Sequence, residues 1–269
     1  MSRLDKKIVE RGIAPTRAKA QELIKSGNVK VNNAVITKSS LDILPSDNIE
    51  IINNDTLKYV SRAGLKLEKA INTFDLNFSN KNIMDIGSST GGFTDCALKY
   101  GADKVVAVDV GTDLMYPSLR NHPKVELHEQ TNIKDLPNDK FKNIDYITID
   151  VSFVSLSKII DKIVLAECNA DIIALIKPQF ECGKAIADKF KGVISSPKIH
   201  QDILTNVISI FSDFGYTILD LTYSPITGGD GNIEYISNFT KSSTKPKSIN
   251  LKQIISSAFE VHKNRSKYE

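Results

Sequence analysis

Two ionisable side chains each follow a predicted buried strand: Asp150 comes directly after I-T-I, and Lys177 comes directly after D-I-I-A-L-I. Because the carboxyl ends of neighbouring parallel strands meet at one edge of a sheet, we expect the two side chains to lie close together. A lysine after so apolar a run must enter a cleft or lose solvent, and desolvation lowers the pKa of an amine toward that of a usable base. The pair therefore predicts chemistry in which a proton is taken or oriented.

Two further ionisable residues can reach the same rim. Glu234 lies in G-N-I-E-Y-I at the start of the last predicted strand, and Lys66 lies on the polar face of the helix predicted near Arg62 to Phe74. Ordinary solvation at a strand end would equally explain Asp150 and Glu234. For Lys66, the sequence alone favours an exposed helix lysine.

A glycine-rich turn, Gly87-Ser88-Ser89-Thr90-Gly91-Gly92, joins the predicted strand N-I-M-D-I to a helix that begins near Phe93. Such a turn presents backbone amides to a ligand, and Asp109, 22 residues after Gly87, stands where an acid accepts hydrogen bonds from two ribose hydroxyls. The spacing is neither G-x-G-x-x-G nor G-x-x-x-x-G-K-[ST], which argues against pyrophosphate or triphosphate binding. A turn without a ligand is the alternative. The small residues together with the acid favour a nucleotide-like cofactor.

The composition is that of a soluble globular protein with one main domain and a small second one: 269 residues, 41% hydrophobic and 25% charged. No run approaches the roughly 18 apolar residues of a membrane span, and no signal-peptide core follows the amino terminus. The three cysteines show no C-x-x-C spacing. These observations predict a protein of the reducing cytoplasm without a disulfide bond and without a metal site.

The net charge of +3 is unevenly distributed along the chain. Residues 1–38 contain nine basic and three acidic residues, a net charge of +6, so the remainder carries −3. A basic segment beside a slightly acidic body is typical of a protein in which one part contacts a polyanion, although solvated lysines give the same count. Among the basic residues, Arg3, Lys6, Arg17, Lys19 and Lys30 are the ones expected to contact the polyanion.

The sequence pattern of residues 1–56 predicts a compact α+β module. The pattern indicates a helix over Leu4 to Arg11, a second helix capped by Thr16 and ending near Lys25, and a hairpin with the turn Asn32-Asn33. A strand near Asn48 to Ile52 completes the module. Residues 57–62 are predicted to be an interdomain linker.

From residue 63 to residue 240, apolar strands alternate with helices, which predicts a doubly wound α/β domain with a parallel sheet. Its parallel strands are expected at Asn82 to Ile86, Lys104 to Asp109, Val125 to His128, Ile144 to Asp150 and Asp171 to Lys177. The segments Tyr216 to Tyr223 and Asn232 to Asn238 are joined by a turn too short for a crossover helix. They are therefore expected to form an antiparallel hairpin at the sheet edge.

The segment 241–269 is predicted to be a basic carboxyl-terminal tail. A polar linker, K-S-S-T-K-P-K, precedes a short helix near Lys252 to His262. Three basic residues, Lys263, Arg265 and Lys267, follow that helix, and no motif assigns them a role.

Several motifs together carry a family resemblance. The first thirty residues, from R-L-D-K-K-I to V-K-V-N, resemble the RNA-binding domain named after small-subunit ribosomal protein S4. The remainder resembles an FtsJ-type ribose methyltransferase, with V-S-R-A-G-L-K-L, D-I-G-S-S-T-G-G-F-T-D, D-V-S-F-V-S-L, L-I-K-P-Q-F-E and G-N-I-E-Y in register. The two domains in this order resemble the TlyA family, which is also described as haemolysin-like. The resemblance implies a Rossmann-like, S-adenosylmethionine-dependent methyltransferase domain behind a small α+β domain of the S4 type.

The resemblance also implies roles for single residues. A Lys-Asp-Lys-Glu tetrad serves methyl transfer to a ribose 2′-hydroxyl of ribosomal RNA in that family, and it falls here on Lys66, Asp150, Lys177 and Glu234. Lys177 would take or orient the hydroxyl proton, Asp150 and Glu234 would hold that amine, and Lys66 would hold the ribose or a phosphate. The implied cofactor-binding residues are Asp85, Gly87, Ser88, Ser89, Thr90, Gly91, Gly92, Phe93 and Asp109.

The expected function is S-adenosylmethionine-dependent methylation of a cytidine ribose in ribosomal RNA, either free or within a ribosomal subunit. A haemolysin-like membrane-active protein is one alternative, but it would need a long amphipathic helix or a secretion signal. An RNA-binding scaffold with a vestigial cofactor domain is another, against which the intact Gly87, Asp109 and tetrad positions argue. Because Gly87 and Asp109 lie beyond residue 62, cofactor binding is expected to be confined to the second domain. The modified nucleotide and the oligomeric state stay open.

Overall fold

The computed structural model describes residues 1–242 and 248–265, which form a small amino-terminal domain and a larger α/β domain. Within these residues no helix has both the length and the apolar character needed to cross a membrane.

The small domain is the predicted α+β module. Its elements are β1 (Ser2–Arg3), α1 (Leu4–Glu10), α2 (Arg17–Lys25), β2 (Val29–Val31), β3 (Ala34–Val35), β4 (Asp42–Ile43) and β5 (Ile49–Ile51). As predicted, Thr16 caps α2, where its hydroxyl accepts a hydrogen bond from the Lys19 backbone at 3.2 Å. Asn32 and Asn33 form the hairpin turn with φ of 49° and 69°, the left-handed pair that a two-residue turn requires. The pairing of β1 with β4 was not predicted, because two-residue strands leave no periodicity to detect.

The predicted linker 57–62 is anchored in both domains. A 3₁₀ turn, Asp55–Leu57, precedes it, and Leu57 packs against the apolar core of the small domain. The Tyr59 side chain is buried in one core of the large domain, and the Val60 backbone donates a hydrogen bond to Asp95 at 2.8 Å. The segment is therefore a packed connection and not a free tether.

The large domain contains a seven-stranded sheet. Its strands are β6 (Asn82–Ile86), β7 (Lys104–Val108), β8 (Val125–His128), β9 (Tyr146–Ile149), β10 (Asp171–Ile176), β11 (Thr217–Tyr223) and β12 (Tyr235–Thr240). The order across the sheet is β11-β12-β10-β9-β6-β7-β8, and the five strands β6 to β10 are parallel. The antiparallel β11–β12 hairpin is confirmed, with β12 inside the sheet against β10 and β11 at the edge.

Helices cover both faces of the sheet. They are α3 (Ala63–Phe74), α4 (Gly92–Lys99), α5 (Pro117–Arg120), α6 (Leu156–Leu165), α7 (Pro178–Glu181), α8 (Lys184–Lys189), α9 (Pro197–Asp213) and α10 (Leu251–Arg265). Along β6, Ile83 belongs to the core under α3 and α4, while Met84 belongs to the core on the opposite face. This alternation is the two-residue period of a strand that is buried on both sides.

Helix α9 was not predicted, although the sequence contains the pattern of a helix there. Pro197 occupies the first turn, and buried Ile203, Leu204, Val207 and Phe211 recur at helical spacing.

The carboxyl-terminal segment differs from the predicted tail, because its helix α10 is longer than expected and packs on the large domain. Ile255 and Ala258 are buried in the core, and the His262 ring bonds to the Ser224 carbonyl at 3.0 Å. The predicted linker from Lys241 to Lys247 lies mostly outside the described residues, and Lys267 lies outside them too.

We expect Gly64→Ala to lower the free energy of unfolding by about 1 to 3 kcal/mol, because a methyl group there would overlap the ring of Tyr59. Tyr59 is 2% exposed, so its ring is enclosed by the protein and cannot turn out into solvent. Urea denaturation measures the change. Gly229→Ala is the matched control, because a methyl group at Gly229 meets nothing within 4 Å. Equal stability of the two variants would contradict this account of the linker.

Candidate functional site

A cavity of 560 Å³ opens at the carboxyl edge of the parallel strands. Its wall is formed by the glycine-rich turn, the start of α3, the segment after β9, helix α7 and the loop 226–230. This is the edge at which open α/β sheets bind their ligands. The volume lies within the usual range of roughly 300–1,000 Å³ for small-molecule sites.

The register of the sheet brings the ionisable residues together. Ile86 of β6 pairs with Ile149 of β9, so Asp150 follows at the same level as the glycine-rich turn. Ile176 of β10 pairs antiparallel with Tyr235 of β12, so Lys177, just after one strand, lies beside Glu234, just before the other. Each position is thus fixed by a backbone ladder.

Position 87, directly after β6, requires a glycine. Its φ is 83°, and a methyl group there would stand 2.6 Å from the Asp150 carbonyl oxygen. Only glycine adopts this backbone conformation at low cost and also lets the turn touch the end of β9.

The four predicted tetrad residues form a chain of alternating charge. Glu234 accepts a hydrogen bond from Lys66 at 2.7 Å, Lys66 lies 3.7 Å from Asp150, and Asp150 lies 2.6 Å from Lys177. Glu234 contacts Lys66, so the expectation that it holds the Lys177 amine is wrong. Lys66 is 8% exposed and ion-paired, so the interpretation as an exposed helix lysine is wrong as well.

Burial and pairing act in opposite directions on these groups. Burial alone would lower the pKa of Lys66, but the carboxylates of Asp150 and Glu234 outweigh it and raise that pKa, so the amine stays charged. Burial alone would raise the pKa of Asp150, but the amines of Lys66 and Lys177 lower it. The lowered pKa means that Asp150 stabilises the fold fully at pH values above the ordinary pKa of an aspartate, roughly 3.9. That contribution is lost as the pH falls through the lowered value.

The amine of Lys177 has a second partner that the sequence did not suggest. Its Nζ donates to the Ser152 hydroxyl at 3.0 Å and also lies 5.8 Å from the centre of the Phe180 ring. With Asp150 and Ser152 occupying two of the tetrahedral positions around the nitrogen, one position is left for another group. Lys177 and Ser152 both line the cavity, so a hydroxyl within it can reach that position.

Most of the predicted cofactor residues line the cavity: Gly87, Ser88, Ser89, Thr90, Gly92 and Phe93. The Ser88 hydroxyl is buried and has no hydrogen-bond partner among the described residues. Asp109 stands behind the turn, where its two carboxylate oxygens accept the backbone N–H groups of Ser89 at 2.8 Å and Gly111 at 2.7 Å. Each oxygen keeps a lone pair for a further donor.

Besides Asp109, two further predicted cofactor residues are not in the cavity wall. Gly91 packs against Met115 and Leu119. Asp85 is 1% exposed below the turn, where it accepts hydrogen bonds from Thr94 at 2.6 Å and Thr148 at 3.0 Å. Burial raises the pKa of Asp85 to about 6 in spite of these bonds. Asp85 thus connects β6 to α4 and β9 beneath the turn.

An aromatic pair at the cavity mouth was not predicted. The rings of Phe153 and Phe180 are 4.8 Å apart, and both residues line the cavity. Phe153 is 90% exposed and has φ of 63°, a backbone conformation that costs a bulky residue energy. An exposed ring held on strained backbone is a feature that folding alone does not explain.

The small domain also contributes to the wall, through Glu22 of α2. The predicted cofactor residues all lie in the large domain, and Glu22 is the contribution of the small domain to the same cavity wall. Glu22 pairs with Lys19 at 3.1 Å, which leaves Lys19 only 7% exposed.

The residues predicted to contact RNA fall into two groups. Arg3 and Arg17 both pair with the buried carboxylate of Asp5 at 3.0 Å, and Lys19 is held by Glu22. Within the described part of the chain, Lys6 and Lys30 make no ion pair. The free positive charge of this domain is therefore smaller than the sequence count indicates.

The described residues contain no group of three or more His, Cys, Asp or Glu side chains that could hold a metal ion.

Comparison with known proteins finds matches to both domains. The family model described as FtsJ-like methyltransferase matches residues 59–241, and the S4 domain model matches residues 2–49.

Similar proteins cover nearly the whole chain. YqxC of Bacillus subtilis, a proposed rRNA methyltransferase, is 44% identical over 237 residues, covering 87% of this chain and 84% of its own length. The 16S/23S rRNA (cytidine-2′-O)-methyltransferase TlyA of Mycobacterium tuberculosis is 34% identical over 236 residues, covering 87% of this chain and 88% of its own length. A solved structure of a proposed hemolysin from Streptococcus thermophilus has a TM-score of 0.77 at 33% identity, covering 99% of this chain and 98% of that one.

We expect Glu234→Gln to lower the free energy of unfolding at pH 7 by about 3 kcal/mol, because the buried Lys66 ammonium loses its nearest counter-charge. Urea denaturation measures the loss. The double variant Lys66→Met with Glu234→Leu removes both charges, so it should be more stable than Glu234→Gln alone. A double variant less stable than the single one would show that the pair does not carry this stability.

Proposed function

The chain belongs to the FtsJ-like methyltransferases and carries an amino-terminal S4 domain, and on this basis we propose that it methylates a ribose 2′-hydroxyl of ribosomal RNA with S-adenosylmethionine as donor. The observation that carries the proposal is the buried chain Glu234-Lys66-Asp150-Lys177 in one cavity with the glycine-rich turn. A site for the methyl donor and an amine for the acceptor hydroxyl thus share one space.

The residues of the turn fit S-adenosylmethionine. The Ser88 hydroxyl is buried without a partner, and the Asp109 carboxylate keeps lone pairs suited to two ribose hydroxyls. Ser88, Ser89, Thr90 and Asp109 are the residues that would hold the molecule. When bound, its sulfonium group supplies an electrophilic methyl group that needs no metal ion for its transfer.

The proposed role of the tetrad is to orient and activate the acceptor hydroxyl. A 2′-hydroxyl is a weak nucleophile, and its reactivity rises when its proton is oriented toward a base. Asp150 and Ser152 fix the Lys177 nitrogen in the cavity wall and leave one of its positions for the hydroxyl, whose proton it would accept as the methyl group is transferred. Lys66 stays charged, and it neutralises Asp150 and Glu234 so that both carboxylates tolerate burial.

Ribosomal RNA as substrate, and cytidine as target, are supported by the name of the Mycobacterium tuberculosis relative. Lys6 and Lys30 of the small domain are available for phosphate contacts. The pair of exposed Phe153 and half-buried Phe180 suits stacking with an unpaired base, since aromatic side chains are the usual platforms for single-stranded RNA.

The test of this function is transfer of tritiated methyl groups from S-adenosylmethionine to ribosomal RNA, followed by alkaline hydrolysis. A ribose 2′-O-methyl group blocks cleavage at its own nucleotide, whereas base methylation leaves cleavage unchanged. Lys177→Met should lower the turnover rate at least 100-fold, the usual contribution of a positioned acid or base being roughly 10²–10⁴-fold. Its affinity for S-adenosylmethionine, measured by calorimetry, should be unchanged. Wild-type turnover in this variant would remove Lys177 from the reaction.

We expect Asp109→Ala to weaken S-adenosylmethionine binding by about 10- to 100-fold, because a hydrogen bond to a charged group contributes roughly 1.5 to 3 kcal/mol. Calorimetry gives the affinity directly. Asp103→Ala is the control, since Asp103 is exposed and lies before β7, at the opposite end of the strand from Asp109. Equal affinity of both variants would exclude a cofactor role for Asp109.

A further inference from the structure

Gln179 lines the cavity, and its side-chain amide has no hydrogen-bond partner in the part of the chain that the structure describes. Its Oε1 is buried and accepts no hydrogen bond, and within residues 1–242 and 248–265 its amide nitrogen donates none. A buried polar group left unpaired costs about 1 to 3 kcal/mol, so a native protein rarely keeps one without a use. The amide of Gln179 is therefore ready to pair with a group that the chain itself does not supply.

Gln179 lies close in the chain both to Lys177 and to Phe180 of the aromatic pair. It lies in α7, two residues after Lys177 and one residue before Phe180. Lys177 marks where the ribose hydroxyl of the proposed substrate would lie, and the Phe153–Phe180 pair offers a surface for the face of its base. A base attached to that ribose would therefore have its edge within the reach of α7.

The chemistry of the amide matches one edge of a nucleobase. A glutamine amide presents an acceptor and a donor side by side, and cytosine presents its N4 amino donor beside its N3 acceptor. The last torsion of a glutamine side chain is broad and soft, so turning Oε1 toward a donor in the cavity costs little. Two parallel hydrogen bonds can then form in the plane of a base stacked on the rings.

We propose that Gln179 binds the Watson–Crick edge of the target base and accepts a hydrogen bond from the exocyclic amino group of a cytosine. This inference rests on the proposed function and adds a base-reading residue to it. Lys177 and its partners act on the ribose, Phe153 and Phe180 contact the face of the base, and Gln179 contacts its edge. Recognition of the nucleotide is thereby separated from the chemistry of methyl transfer.

The test is a cycle of two enzymes and two RNAs. The nucleotide methylated by the wild type is first mapped, and RNAs are then prepared with either cytosine or pyrimidin-2-one, which lacks the amino group, at that position. For the wild type, kcat/KM should be about tenfold higher with cytosine, in line with one hydrogen bond. Gln179→Leu, which keeps the approximate size, should show no preference and should act on both RNAs more slowly than the wild type acts on the pyrimidin-2-one RNA, because it also lacks the amide N–H that bonds to N3.

Two further variants serve as controls. Gln201→Leu, on α9 and away from the cavity wall, should keep the wild-type preference. Gln179→Glu keeps an acceptor of the same length and should retain part of the preference for the amino group. Melting temperature and S-adenosylmethionine affinity of every variant should equal those of the wild type.

The outcomes separate this proposal from the function on which it rests. A tenfold preference that persists in Gln179→Leu, or a wild type without preference, overturns the role of Gln179 and leaves ribose methylation intact. Variants at position 179 that lose S-adenosylmethionine binding or melt early show a purely structural residue and also overturn it. If the wild type forms no alkali-resistant linkage in any ribosomal RNA, the proposed function falls, and this inference falls with it.

Discussion

The structure depends on keeping four ionisable side chains out of water. A lone charge in a protein interior is too costly to maintain, but here acidic and basic groups alternate at short distances, from Glu234 through Lys66 and Asp150 to Lys177. The four come from separate parts of the chain: a helix, the ends of two parallel strands and the start of an antiparallel one. The balance of charge therefore holds only when the sheet has its final strand order. Insertion of β12 beside β10 is what supplies the last carboxylate.

The two domains are less independent than their separate patterns indicate. Leu57 packs against the core of the small domain and Tyr59 is buried in a core of the large one, so the connecting segment joins the small domain to the start of α3, which carries Lys66. Glu22 of the small domain reaches the cavity wall itself. Arg3, Arg17 and Lys19 are already paired with carboxylates inside the small domain. The small domain therefore helps to form the site in addition to offering charge for contacts with a polyanion.

The sequence predicted those parts of the site that depend on strand ends, since a polar residue after a buried strand has few places to go. Asp150, Lys177 and the glycine-rich turn belong to this class. Lys66 could be assigned only by resemblance, because burial of a helix lysine is decided by what packs over it. The partner of Glu234 was assigned wrongly for the same reason. The left-handed backbone of Phe153, the unpaired amide of Gln179 and the reach of Glu22 arise from tertiary contacts that leave no periodicity in the sequence.

The contact between Gly87 and the carbonyl of Asp150 has a mechanical consequence. Because no side chain stands between them, the separation of the glycine-rich turn from the lysine-bearing edge is set by covalent geometry and atomic radii. Rotamer changes elsewhere in the wall alter the shape of the cavity but leave this separation unchanged. The turn and the end of β9 therefore keep a separation that side-chain motion in the wall does not change.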